Sequence, residues 1–188
     1  MNRLLTRLLG RSGKDAAVED AAANDGEERV YPDLPPGVRV YAVGDIHGRL
    51  DLMAELHEMI AADSAGYSGR KKVVYLGDYI DRGAQSKQVL DLLIEKPLPG
   101  FEAIHLLGNH EQSMLNFLQD PGANAAWLAY GGQLALLSYG VGVGRVMATT
   151  SVEVLRDELE EKLPQSHLDF LLACSLMHVE GGYCFVHA

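Results

Sequence analysis

Three short segments carry side chains suited to hard divalent cations. Asp45 and His47 stand two apart after Gly44; Asp78, Asp81 and Arg82 follow Gly77; Asn109, His110 and Glu111 follow Gly108. Residues two apart in extended backbone point to the same side, so Asp45 and His47 can grip one cation together. Asp78 has two carboxylate oxygens and can bridge that cation to a second, to which Asn109 offers an amide oxygen. Cations about 3.5–4 Å apart turn a shared water into hydroxide near neutral pH. A phosphate monoester leaves as an alkoxide and needs a proton. His110 directly follows Asn109 and is placed to give that proton, with Asp81 orienting the imidazole and holding it as imidazolium. Arg82 supplies a forked donor matched to phosphoryl oxygens.

For these residues to meet, the chain must bring three separate segments to one place. Apolar runs predict strands over 38–43, 72–76 and 103–107, and helical spacing predicts helices over 50–62, 85–95 and 110–119. In the first helix Leu52, Leu56 and Met59 form the expected apolar stripe. Strand–helix alternation predicts parallel pairing with right-handed crossovers. Each candidate segment follows a strand, and ligands in parallel sheets bind beyond the carboxyl ends of strands. The glycine before each ligand is expected to let the backbone turn without a Cβ in the way. Farther on, Trp127, Tyr130, Leu134, Leu136 and Leu137 suggest helical segments broken by Gly131-Gly132. Residues 140–145 (GVGVGR) read as a loop, not a dinucleotide fingerprint. Helices over 152–163 and 165–173, punctuated by Pro164, precede a last strand over 182–186.

Composition narrows the setting. Of 188 residues, 47% are hydrophobic and 22% charged, and the formal net charge is -10. That balance suits a water-soluble globular domain and argues against nucleic-acid binding, which needs a basic face. Cys174 and Cys184 are not paired in a CxxC motif and read as reduced core thiols of a cytoplasmic protein. No apolar run reaches the ~20 residues that span a bilayer. Residues 1–37 read as a basic, then acidic, flexible tail opening on a short Leu-rich stretch, and residues 38–188 as one folded domain. His57, His105, His167 and His178 lie outside the motifs and read as surface or core histidines. Oligomeric state is left open.

Together GDIHG, GDYIDRG and GNHE resemble the signature of the phosphoprotein phosphatases, within the calcineurin-like metallophosphoesterases, and most of all the small bacterial serine/threonine phosphatases of the bacteriophage lambda kind. The resemblance implies an α/β fold: a metallophosphoesterase-type β-sandwich flanked by helices in four layers. It also implies two divalent metal ions, manganese first, with iron or zinc as alternatives. Asp45 and His47 would bind the first, Asp78 would bridge, and Asn109 with His187, in the strand end Phe185-Val186-His187-Ala188, would bind the second. His110 paired with Asp81 would act as general acid and Arg82 would hold phosphate, the substrate being a phosphoprotein or small phosphoester. Two departures stand out. Leu107 occupies a position usually held by arginine in these phosphatases; a leucine there is more similar to the bacterial dinucleoside tetraphosphatases, which makes such a hydrolase the alternative. The family's later strands, a further arginine and a final GH histidine are not in this sequence, so the chain is expected to be the N-terminal two-thirds of such a domain, or else an inactive phospho-ligand-binding module.

Overall fold

The computed structural model describes residues 33–142 and 149–188. The Leu-rich start, the charged linker and the second half of GVGVGR lie outside the described residues.

Strands β1 (Val38–Val43), β2 (Arg70–Tyr75) and β3 (Glu102–His105) form a parallel sheet in the order β1-β2-β3. Val43 lies opposite Tyr75, and Tyr75 opposite His105. The three strands therefore end level, and the segments after them emerge on one rim. β2 is central, and Val73, Val74 and Tyr75 are buried, as expected of a strand covered on both faces. Helices α1 (Leu50–Asp63), α2 (Ser86–Glu95) and α3 (Asn109–Gln119) follow the strands in turn.

The buried side of α1 is Met53, His57 and Ile60, while Leu52 and Met59 are about half exposed. Of the apolar stripe expected from the sequence, Leu52 and Met59 thus lie on the outer side, and Leu56 is partly buried against the core. Both sets repeat at helical spacing, and the direction of the neighbouring sheet selects between them.

After α3 the chain makes a wide π-type turn, Leu128–Gly132, running into α4 (Gln133–Ser138), with Gly131 at φ +118° breaking the helical path. α5 (Val152–Lys162) starts at Ser151, whose hydroxyl accepts from the Val154 N–H, and α6 (Gln165–Ala173) starts after Pro164. A hairpin of β4 (Met177–Glu180) and β5 (Tyr183–Val186) closes the chain as a second, antiparallel sheet. β4 has no counterpart in the sequence-based reading: Met177 to Glu180 is too short and too mixed to stand out, and its pairing with β5 defines it. Hydrogen bonds at Leu107–Ser175 and Ser175–His105 tie the hairpin's approach to β3. Cys174 is partly buried and Cys184 is exposed. Cys184 is therefore not a core thiol, because it pairs with Val179 on the outer face of the hairpin. No helix among the described residues is long and apolar enough to cross a membrane.

Candidate metal centre

The rim beyond β1, β2 and β3 is assembled by backbone as much as by side chains. The Ile46 and His47 N–H groups both donate to the Asp78 carbonyl at 3.0 and 2.9 Å, and Gly48 N–H donates to Tyr79 O at 2.9 Å. Among the described residues, four that are not glycine hold left-handed backbone: His47 (φ 45°), Asp78 (53°), Asp81 (70°) and Arg82 (60°). Such strain gathers where a structure forces a side chain into a fixed direction, and all four are candidate site residues. The expected role of the glycines is met at Gly77, at φ +106°, and not at Gly44, where a Cβ would meet nothing within 4 Å, while Gly108 is extended (φ −86°). Gly108 is required for space: a Cβ there would strike the Asp78 carboxylate and Glu111.

Asp78 lies at the centre and is 3% exposed. Its Oδ2 lies 3.6 Å from His47 Nε2, and its Oδ1 lies 3.4 Å from His187 Nε2. Asp45 Oδ2 is 3.6 Å from His47 Nε2, and Asn109 Oδ1 is 2.9 Å from His187 Nε2. The tautomers follow from the opposite ring nitrogens. His47 Nδ1 donates to Ile80 O and His187 Nδ1 to Leu76 O, each at 2.9 Å. A carbonyl only accepts, so both Nδ1 atoms carry hydrogen, and both Nε2 atoms lie among carboxylate and amide oxygens at the rim. A group of converging acceptors with backbone carbonyls behind the imidazoles is the donor set a divalent cation requires. The residues present fit the metals that the motifs imply. Among the described residues, two groups have ligand atoms close enough to share an ion, His47–Asp78–His110 and Asp45–Asp78–His187. Asp78 belongs to both, as a bridge must. Asp45 is within reach of both His47 and His187 across Asp78, and Asn109 stands beside His187.

His110 sits beside this cluster and is buried. Its Nδ1 lies 2.7 Å from Asp81 Oδ2, while its Nε2 accepts from Arg82 Nη2 at 3.0 Å. The other Arg82 nitrogen, Nη1, donates to His47 Nε2 at 2.9 Å, so one guanidinium spans both imidazoles. Burial pushes the Asp81 carboxyl upward, while bonds from His110 and Trp127 pull it down. Two supporting residues carried no assigned role in the sequence. Glu111, fully buried, accepts four backbone N–H groups: Asp78 and Gly108 on Oε2 at 2.8 and 3.0 Å, Tyr79 and Ile80 on Oε1 at 2.8 and 3.2 Å. Burial pushes its carboxyl up to about 7 against those bonds. Its place three residues after Gly108, at a helix start, is a capping pattern that could have drawn attention to it. Trp127 donates its indole N–H to Asp81 Oδ2 at 2.6 Å, and nothing local in the sequence announces that contact 46 residues away.

The family model for calcineurin-like phosphoesterases matches residues 38–172. The chain belongs to this family. As a calcineurin-like phosphoesterase it resembles relatives of two kinds. A serine/threonine-protein phosphatase of Arabidopsis thaliana is 33% identical over 100 residues, covering 50% of this chain and 10% of that protein. Symmetrical bis(5'-nucleosyl)-tetraphosphatases of Methylococcus capsulatus and Aromatoleum aromaticum are each 30% identical, covering 79% of this chain and 42% and 43% of those proteins. The chain thus spans well under half the length of these relatives. Among solved structures, a cold-active protein tyrosine phosphatase of a psychrophilic Shewanella is 26% identical with a TM-score of 0.35, over 66% of this chain and 40% of that one.

Proposed function

We propose that this phosphoesterase hydrolyses phosphate monoesters with the help of two divalent cations, and that its substrate is phosphoserine or phosphothreonine in protein. The reading is carried by the two oxygens of Asp78, each facing the Nε2 atom of a different histidine. Asp45, His47, Asp78, Asn109 and His187 would hold the cations, manganese before iron or zinc. When bound, such a pair supplies an acidified water and neutralises phosphoryl charge.

The remaining work falls to the protein. Arg82, with its fork already at the rim, turns its N–H groups to the phosphoryl oxygens. That releases His110 Nε2 to carry a proton. As the water oxygen joins phosphorus and the ester P–O bond breaks, the leaving oxygen takes the His110 proton. Asp81 keeps Nδ1–H in place, so the proton moves at Nε2 alone.

Leu107 and the two tetraphosphatase relatives favour a second reading, hydrolysis of dinucleoside polyphosphates. The test is turnover of p-nitrophenyl phosphate, a phosphoserine peptide and diadenosine tetraphosphate by the Mn²⁺-supplied chain, with metal content measured in parallel. Turnover of the peptide above the dinucleotide supports the first reading, and the reverse order the second. Bound metal without turnover of any substrate would replace both with a phospho-ligand-binding module.

A further inference from the structure

The turn that carries Trp127 lies far from the motifs in sequence, yet it touches the Asp81–Arg82 segment at two points. The Trp127 indole N–H donates to Asp81 Oδ2 at 2.6 Å, the same oxygen that pairs with His110 Nδ1 at 2.7 Å. Four residues on, the Gly131 carbonyl accepts the Arg82 N–H at 3.3 Å. Both contacts depend on the shape of the turn. A Cβ on Gly131 would come within 2.7 Å of Arg82 N, and one on Gly132 within 2.5 Å of the Trp127 ring. The left-handed Gly131 (φ +118°) therefore lets the turn lie flat on Arg82, and Gly132 lets the indole fold back under it. Phe117 of α3 packs on the other side of the ring at 5.0 Å between centroids. Trp127 is 3% exposed and Asp81 fully buried.

We propose that Trp127, set by Gly131-Gly132, is a positioning residue: it fixes which Asp81 oxygen faces His110 and in which direction. A buried carboxylate with one hydrogen-bonding partner can rotate about its last bond. With two donors converging on one oxygen it cannot do so without giving up a hydrogen bond. The Asp81 N–H, donating to Ser86 Oγ at 3.0 Å, anchors the backbone end of the same residue. The other oxygen, Oδ1, has no partner among the described residues, so the two donors on Oδ2 set the carboxylate's orientation. A structural role for the ring would require only packing; the geometry also uses the N–H.

This inference rests on the phosphoesterase reading above, and the chain holds one tryptophan, which makes the test clean. Trp127 is replaced in the full-length chain by its benzothienyl analogue, which keeps the shape and loses the N–H. Trp127→Phe is made in parallel. General acid catalysis contributes about 10²–10⁴-fold, and it matters most for poor leaving groups. A dyad freed to rotate is expected to lower kcat on a phosphoserine peptide about tenfold, with p-nitrophenyl phosphate changed much less, KM unchanged, and the melting temperature of the analogue protein unmoved. Independently of turnover, the single indole N–H resonance should exchange slowly with solvent in the wild type and lose that protection in Asp81→Ala, which has no acceptor. Equal kcat values for wild type and analogue on both substrates, or an indole N–H indifferent to Asp81→Ala, overturn the inference. A wild type inactive on every phosphoester fails the phosphoesterase reading itself, and this inference with it.

Discussion

Replacing Glu111 with glutamine should loosen the centre from behind without touching a ligand. The Glu111 carboxylate gathers four N–H groups from two segments, three from Asp78–Ile80 and one from Gly108. Glutamine keeps one acceptor oxygen, so two of those N–H groups would face an NH2 instead. Hydrogen bonds to a charged group contribute about 1.5–3 kcal/mol each. Two lost bonds cost about 3–6 kcal/mol before relaxation and nearer 3 after it, a large share of the roughly 5–15 kcal/mol that holds a domain folded. With a urea slope of about 1–3 kcal/mol/M, the midpoint should fall by about 1–3 M. The assay is urea unfolding of wild type and E111Q at pH 8, where the carboxyl is ionised, followed by far-ultraviolet circular dichroism. Either orientation of the amide releases N–H groups of the 78–80 segment, Asp78 itself or its neighbours Tyr79 and Ile80, so Mn²⁺ affinity should weaken as well. A midpoint within about 0.3 M of wild type would refute the claim that this carboxylate ties the two segments together.

Other expectations follow from the same geometry. Asp78→Asn removes a charge shared by both potential ligand groups, and calorimetry should show Mn²⁺ uptake largely lost and turnover with it; uptake equal to wild type would end the bridging role. Gly108→Ala should weaken metal uptake and lower the melting temperature, because the new methyl meets the Asp78 carboxylate; an unchanged crystal structure of the variant with full metal content would contradict this. His105 stacks on Tyr75 at 5.1 Å, and burial lowers its pKa from the ordinary histidine value of 6.5 to about 4. The stability this group contributes is present above pH 6.5 and is lost as pH falls through 4, with an upper limit of about 3 kcal/mol. His105→Phe should therefore flatten the acid limb of stability against pH between those values, and an unaltered limb would show that this imidazole does not titrate on unfolding.

Much of the molecule was legible because its signals are local. Strand ends, helix starts and the three Gly-led motifs depend on residues within a few positions of one another, and the observed elements sit within about two residues of those expected. Asp45, His47, Asp78, Asn109 and His110 could be nominated together because parallel strands that end level must present their following loops on one rim. His187 was reached through its order in the chain, and its contact with Asn109 comes from a different sheet.

What the chain could not announce is whatever depends on direction across space. The sides of α1 are both apolar at helical spacing, and only the sheet beneath it determines that Met53, His57 and Ile60 turn inward. β4 exists because β5 pairs with it. The approach of Asp45 and His187 to Asp78, the four amides on Glu111, and the indole on Asp81 all join residues far apart in the chain, whose side-chain orientations are set by packing and by strained backbone at His47, Asp78, Asp81 and Arg82. Residue type and spacing therefore decided which chemistry is available to this protein; the angles and distances that make a centre of it arise only when the chain folds back on itself.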